Sequence, residues 1–125
     1  KAKIIFVKKI KANSPVSYGK TCYTSKNTSI AVISAGYGDG YSRLLSNKGE
    51  VLIKGKRAKV LGRVCMDHIM ADAGLLPGAA AGDTVTLIGR DGNERITMEE
   101  IADKTGTISY EVACSLNQRV PRIAV

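Results

Sequence analysis

Tryptophan is absent from this sequence of 125 residues, and phenylalanine occurs once, at Phe6. Single-stranded nucleic acid is held on aromatic platforms along a basic groove. Here the basic residues are scattered and only tyrosines accompany Phe6, so the net charge of +8 does not read as a nucleic-acid surface. Solvated faces, local anion chemistry and balance by an acidic partner domain are the simpler sources of that charge. Histidine also occurs once, at His68, and the three cysteines, Cys22, Cys65 and Cys114, form no CxxC pair. A zinc site needs several such ligands at close spacing, so no metal is expected. An odd cysteine count without motif spacing argues against a disulfide framework and fits a reducing cytoplasm. No apolar run is long enough to span a bilayer, so no membrane partner is expected. Lys1, Lys3, Lys8, Lys9 and Lys11 surround Ile4 to Val7, but that apolar stretch is too short for a signal peptide and no small-residue cleavage site follows it.

What is present is a succession of short strands broken by glycine turns. Residues 3–9 read as a strand, and 29–34 as a second with β-branched Ile30, Val32 and Ile33. Residues 51–54 and 58–61 flank Gly55-Lys56-Arg57 as a hairpin. Residues 64–71 extend the sheet, 84–88 add another strand, and 120–125 close the chain, with Pro121 marking an edge. Thr97-Met98-Glu99-Glu100 is a capping box, in which Thr97 accepts from the Glu100 amide and Glu100 reaches back. Ile96 and Ile101 stand at staple positions, and Gly106 stops that helix. A second helix is expected over 109–116 with Ser109 as its cap. Many strands and few helices predict one mainly β domain over 1–125, a β-barrel or sandwich.

Three stretches are unusual for a plain β domain. Ser17-Tyr18-Gly19-Lys20 sets a tyrosine in a turn, Gly36-Tyr37-Gly38-Asp39-Gly40-Tyr41 alternates glycine with polar and aromatic residues, and Gly62-Arg63-Val64-Cys65-Met66-Asp67 gathers a base, a thiol and an acid. Glycine lets backbone approach a ligand or a second segment closely. A tyrosine in a turn presents a hydroxyl that donates, accepts or transfers a proton.

Together with Gly89-Arg90-Asp91-Gly92, Ser109-Tyr110-Glu111-Val112 and Arg119-Val120-Pro121-Arg122, these motifs occur in the order and at the spacing of one family. The chain resembles the C-terminal domain of bacterial alanine racemase, from about Lys3 to Val125. The resemblance implies a β-barrel-like domain that accompanies an N-terminal (β/α)8 barrel holding pyridoxal 5'-phosphate (PLP). It implies a cytoplasmic homodimer in which this domain completes the partner's active site for interconversion of L- and D-alanine, the latter destined for peptidoglycan. Two bases would work on opposite faces of the substrate α-carbon: a barrel lysine and a tyrosine that Tyr18 matches. A free phenol ionises only near pH 10, so such a base needs help near neutrality; in the family the help comes from barrel-domain histidine and arginine side chains.

By the same resemblance, Tyr37 lines the partner's site and the Met66 amide meets the substrate carboxylate, flanked by Cys65 and Asp67. Tyr110 reaches the PLP phosphate, and Arg43, Arg63 and Ile108 line the substrate corridor. The family's PLP lysine motif, Lys-Ala-Asn-Ala-Tyr-Gly, has no match: Lys11-Ala12-Asn13 is followed by Ser14-Pro15. The domain alone is therefore expected to be inactive, and to expose an apolar surface that its neighbours would cover. Smaller departures are Gly38, where alanine is usual, and the alanine- and glycine-rich loop from Gly74 to Gly82.

Taken singly these residues have ordinary readings. Tyr18 is a surface turn residue, Tyr37 and Tyr110 are half-buried packing, Cys65 and Met66 fill a core, and Arg43 and Arg63 are solvated charges. Asp39 is a turn former, and Arg119 and Arg122 brace the last strand. Two rivals stand beside the main reading: a stand-alone β-barrel binding module on a racemase scaffold, and a domain of a serine-directed relative.

Overall fold

Strand β1 (Ala2–Ile10) organises the sheet. Its side chains alternate inward and outward as a strand requires, but the phase changes partway. Ile4 pairs with Ile33 and Phe6 with Val32, so a bulge at Ile5 shifts the register by one residue. Ile4 and Val7 therefore turn toward the interior while Ile5 and Phe6 are both exposed. The computed structural model describes residues 1–125. After β1 come the short strands β2 (Pro15–Val16) and β3 (Cys22–Tyr23), then β4 (Thr28–Ile33), β5 (Glu50–Ile53) and β6 (Lys56–Lys59). They are followed by β7 (Ile69–Asp72), β8 (Thr84–Thr86), β9 (Gly89–Asp91) and β10 (Glu94–Ile96), and by helices α1 (Met98–Thr105) and α2 (Ser109–Cys114).

Six strands form an antiparallel sheet in the order β6-β5-β8-β1-β4-β7. Its two edges meet: Val60 bridges to Ala71 just beyond β6, and the Leu61 amide donates to the Met70 carbonyl at 2.9 Å. The sheet is thus closed into a barrel, which leaves no free edge for another chain to extend. The interior is filled by Ile4, Ala31, Ile33, Val51, Ile53, Val60, Ile69, Ala71 and Val85. Leu52 points the other way yet is fully buried, because the β9–β10 hairpin packs on the outside of β5. This cover explains why the run Val51-Leu52-Ile53 is apolar throughout rather than alternating.

The β5–β6 hairpin turns at Lys54-Gly55, not at the expected 55–57. Both residues have positive φ, 51° and 74°, and Ile53 pairs with Lys56. A two-residue turn of that hand matches the twist of the strands, and it places Arg57 inside β6 opposite Leu52. There Arg57 donates to Glu50, Glu94, both oxygens of Glu100 and the Arg95 carbonyl, at 2.6 to 3.1 Å. One guanidinium so ties hairpin, β10 and α1 together, and it holds the Glu100 carboxyl below its ordinary range.

Helix α1 begins at Thr97, whose Oγ1 accepts from the Glu100 amide at 3.0 Å, and ends at Gly106 with φ 72°. The expected capping box is only half made, since the Glu100 side chain goes to Arg57 and Lys104. Ile96 and Ile101 both enter the core. Three further expectations are corrected. Ser109 is the first residue of α2 and not its cap, which is Ile108. Residues 64–68 leave the sheet to form a loop, so the strand is confined to β7. Val120 is half-buried in a bend and residues 121–125 are exposed and pair with no strand, so no closing strand exists. The hairpins β2–β3 and β9–β10 leave no mark in the sequence, because strands of two or three residues carry too little alternation to be read.

Candidate functional site

Tyr18 sits at the tip of the β2–β3 hairpin, where Val16 pairs with Cys22 and residues 18–20 form a single 3-10 turn. The approach is forced into the left-handed region: Ser17 has φ 64° and Gly19 φ 76°. Such strain at a serine persists only where neighbours hold it, and the loop 62–67 does so. Ser17 Oγ donates to the Arg63 carbonyl at 2.8 Å and lies 3.6 Å from Cys65 Sγ. Gly62 admits this approach, since a Cβ there would stand 2.5 Å from both Ser17 Cβ and the Val16 carbonyl. The result is a tyrosine with a fixed backbone that remains 46% exposed.

Two arginines address that ring. Arg43 Nη2 donates to Tyr18 Oη at 3.1 Å, and the Arg63 guanidinium lies 5.5 Å from the ring centroid, within cation–π range. Arg43 comes from a 3-10 turn over Arg43–Leu45, capped by Ser42 Oγ, which accepts from the Leu44 amide at 3.2 Å. Ser46 completes this anchorage by donating to the Arg43 carbonyl at 2.6 Å and accepting from the Val64 amide at 2.9 Å. Both expected corridor arginines therefore converge on Tyr18.

A second contact joins the other two glycine motifs. The Tyr37 amide donates to the Cys65 carbonyl and the Gly38 amide to the Met66 carbonyl, each at 2.9 Å. Gly36 permits this, because a Cβ there would lie inside the radii of the Cys65 and Met66 carbonyl oxygens and 2.6 Å from Met66 C. A trans peptide is planar, with C=O and N–H on opposite sides. Pinning the Cys65 and Met66 carbonyls on residues 37 and 38 therefore turns the Met66 and Asp67 N–H groups the other way. Neither of these N–H groups donates to any acceptor within the chain. The Met66 side chain is exposed, so the packing role available to a methionine is not taken here.

Arg119 has no last strand to brace; it instead reaches across to both acidic motifs. Arg119 Nε donates to Asp39 Oδ1 at 2.8 Å, and Nη2 to Asp67 Oδ1 at 2.9 Å and to the Met66 carbonyl at 3.4 Å. Asp39 and then Asp67 hold its guanidinium still more firmly in the charged form. The other oxygen of Asp39 accepts from the Gly36 amide at 2.9 Å, so this residue is more than a turn former. The sequence signal for it is an acid in each of two glycine motifs and an arginine in the motif at 119–122. Arg122 bonds only to carbonyls nearby in sequence, those of Leu116 and Val120.

Tyr110 and Ile108 stand apart, on α2 and its cap, and no hydrogen bond links them to the Tyr18 cluster. The Tyr110 side chain is 79% exposed and its hydroxyl has no partner in the chain, which leaves it free to meet a group brought by another element. Tyr37 is likewise exposed beside Met66. Lys11 and Ala12 are surface residues at the end of β1. No helix is long and apolar enough to cross a membrane.

The chain is similar to known proteins in sequence and in fold. The family described as "Alanine racemase, C-terminal domain" matches residues 1–124. Alanine racemase from Halothermothrix orenii is 45% identical over 122 residues, which is 98% of this chain and 32% of that protein. Among solved structures, alanine racemase from Bartonella henselae with covalently bound pyridoxal phosphate is 35% identical and superposes with a TM-score of 0.91, over 98% of this chain and 33% of that one. The Bacillus anthracis alanine racemase with bound L-Ala-P is 41% identical, with a TM-score of 0.90 over 98% of this chain and 31% of that one. The chain thus spans about a third of the length of the relatives it matches.

Proposed function

The chain belongs to the alanine racemase C-terminal domain family, and on that premise we propose that residues 1–125 form the β-domain that completes a PLP active site for interconverting L- and D-alanine. In this reading the domain works in a homodimer beside an N-terminal barrel that carries the Schiff-base lysine, and Tyr18 is the second base. The observation that carries the reading is the Tyr18 cluster: an exposed tyrosine whose hydroxyl accepts from Arg43 and whose ring lies under Arg63, on a turn bonded through Ser17 to the loop that carries the free Met66 amide.

Each residue has a task its chemistry suits. Racemisation requires a proton removed from one face of the α-carbon and returned to the other. Tyr18 Oη takes or gives the proton on one face, and the Arg43 guanidinium that donates to it fixes where that oxygen stands. The Met66 N–H, turned outward, receives the substrate carboxylate as a fixed dipole that needs no reorganisation. Tyr37 and the Cys65–Asp67 loop wall the site, and Arg43 and Arg63, with Ile108 at the α2 cap, flank the approach and attract an anion. PLP, when bound, supplies the electron sink for the carbanion. The unpartnered Tyr110 hydroxyl fits a phosphate oxygen as a single donor; the lysine and the remaining cofactor contacts belong to the barrel.

The test is formation of D-alanine from L-alanine with added PLP. The chain is assayed alone, then mixed with a separately produced PLP-binding barrel domain, with L-serine run in parallel. Silence alone and racemisation on mixing is the expected result. Activity by the chain alone would overturn the two-domain reading. Silence in both arms, with binding between the two parts demonstrated, would favour a binding module, and faster turnover of serine would favour the serine-directed relative.

A further inference from the structure

We infer that Arg119 is a positioning residue for the substrate carboxylate, acting by holding the Met66–Asp67 peptide and by neutralising Asp67. The inference rests on the functional reading above and adds to it a residue outside the set that the racemase resemblance implies. The Met66 N–H is oriented by its own peptide's carbonyl, that of Cys65, which Tyr37 pins; the next N–H, of Asp67, is oriented by the Met66 carbonyl, which Gly38 and Arg119 share. Two consecutive N–H groups turned the same way by carbonyls pinned on residues 37 and 38 can both donate to one anionic group.

The difficulty with such a pair is the Asp67 carboxylate, which is attached to it and repels a second carboxylate. Arg119 removes that obstacle. Its Nη2 draws Asp67 Oδ1 to 2.9 Å while Nε is fixed on Asp39, whose other oxygen is held by the Gly36 amide. The anchorage extends behind the arginine as well: the Arg119 amide donates to Asn117 Oδ1 at 3.1 Å, and the Asn117 amide to the Asp39 carbonyl at 3.2 Å. The absence of a side chain at Gly38 makes space for the guanidinium, since a Cβ there would stand 2.8 Å from Arg119 Cζ. Lysine offers no planar fork to bridge two acids and a carbonyl at once.

The experiment uses the full-length protein in which this chain is joined to its PLP-binding domain, with kcat and KM for L-alanine measured separately. Arg119→Met should raise KM roughly tenfold, the effect of one uncompensated charge a few ångströms from another in a dielectric approaching that of water, as the largely exposed Asp67 side chain requires, and lower kcat less. Adding Asp67→Asn to Arg119→Met should recover most of the lost KM, because the repelling charge is gone; a merely structural arginine would give no such rescue. Arg119→Lys, which keeps the charge without the fork, should fall between and guards against a folding defect in the methionine variant. An unmoved KM in Arg119→Met, or equal impairment of the single and double variants, would overturn the inference while leaving wild-type racemisation intact. A wild-type protein that racemises nothing would instead overturn the functional reading, and this inference with it.

Discussion

Replacing Gly36 with alanine adds one methyl group where two backbones touch. The φ of Gly36 is −157°, ordinary extended backbone, so conformational strain contributes nothing. The whole effect is steric. The new Cβ would press on the Cys65 and Met66 carbonyls and lie 2.6 Å from Met66 C, all backbone atoms that cannot swing aside. Residues 36–38 and 65–67 must part, and the bonds Tyr37 N to Cys65 O and Gly38 N to Met66 O are lost or lengthened. Two hydrogen bonds at about 1 kcal/mol each, plus overpacking of about 1–2 kcal/mol, give a destabilisation of about 3–4 kcal/mol. For a domain of this size that lowers the thermal midpoint by roughly 11–15 °C. Calorimetry measures it, with Gly78→Ala as the control. A Cβ at Gly78 meets nothing within 4 Å but takes on a φ of +84°, so only the left-handed strain of about 1 kcal/mol is expected there. Equal shifts for the two variants would refute the reasoning, as would an unchanged midpoint for Gly36→Ala.

Other perturbations follow from the same contacts. Arg57→Met removes the partner of Glu50, Glu94 and Glu100 at a site about a third exposed, so solvent screening limits the loss to about 1–2 kcal/mol, less at high salt; urea unfolding at two ionic strengths checks this. Glu100 has its folded pKa depressed by Arg57, so its contribution is present above the ordinary glutamate value, about 4.5, and fades as pH falls below it. Stability measured from pH 6 downward should therefore decline less steeply in Arg57→Met, and parallel curves would contradict the assignment. Tyr41 is buried with a hydroxyl that has no partner, and burial, then Glu50, raises its pKa above 10. Tyr41→Phe should thus be neutral or stabilising by about 1 kcal/mol, and should flatten the loss of stability above pH 10, where unfolded tyrosine ionises but Tyr41 resists. Thr97→Ala should cost about 1 kcal/mol through loss of the Glu100 N–H cap, read from the same denaturation curves.

The barrel was legible where alternation ran long enough. Strands β1 and β4 and the helix after Thr97 are each marked by several residues that agree. The β5–β6 hairpin was found but misplaced, because its turn uses a positive φ at Lys54, a residue type that gives no signal for it. The tail failed for the opposite reason: Val120 to Val125 has the composition of a strand but no strand beside it with which to pair. At the site, glycine spacing marked the motifs but not their contacts. Gly36 and Gly62 are glycines because a second backbone occupies the space of their Cβ, and which segment comes close is a tertiary fact. Arg119 illustrates this most plainly, since Asp39 and Asp67 lie 80 and 52 residues away from it in sequence.

Two-base racemisation has a signature that isolates Tyr18. If it serves one face of the α-carbon, then in the full-length protein in deuterated water Tyr18→Phe should lower racemisation by at least about a hundredfold, while α-hydrogen exchange persists from one enantiomer of alanine and is lost from the other. Following the α-proton signal of L- and D-alanine separately by NMR measures this directly. Equal exchange from both enantiomers in the variant, or racemisation at the wild-type rate, would contradict the assignment of Tyr18 as the second base.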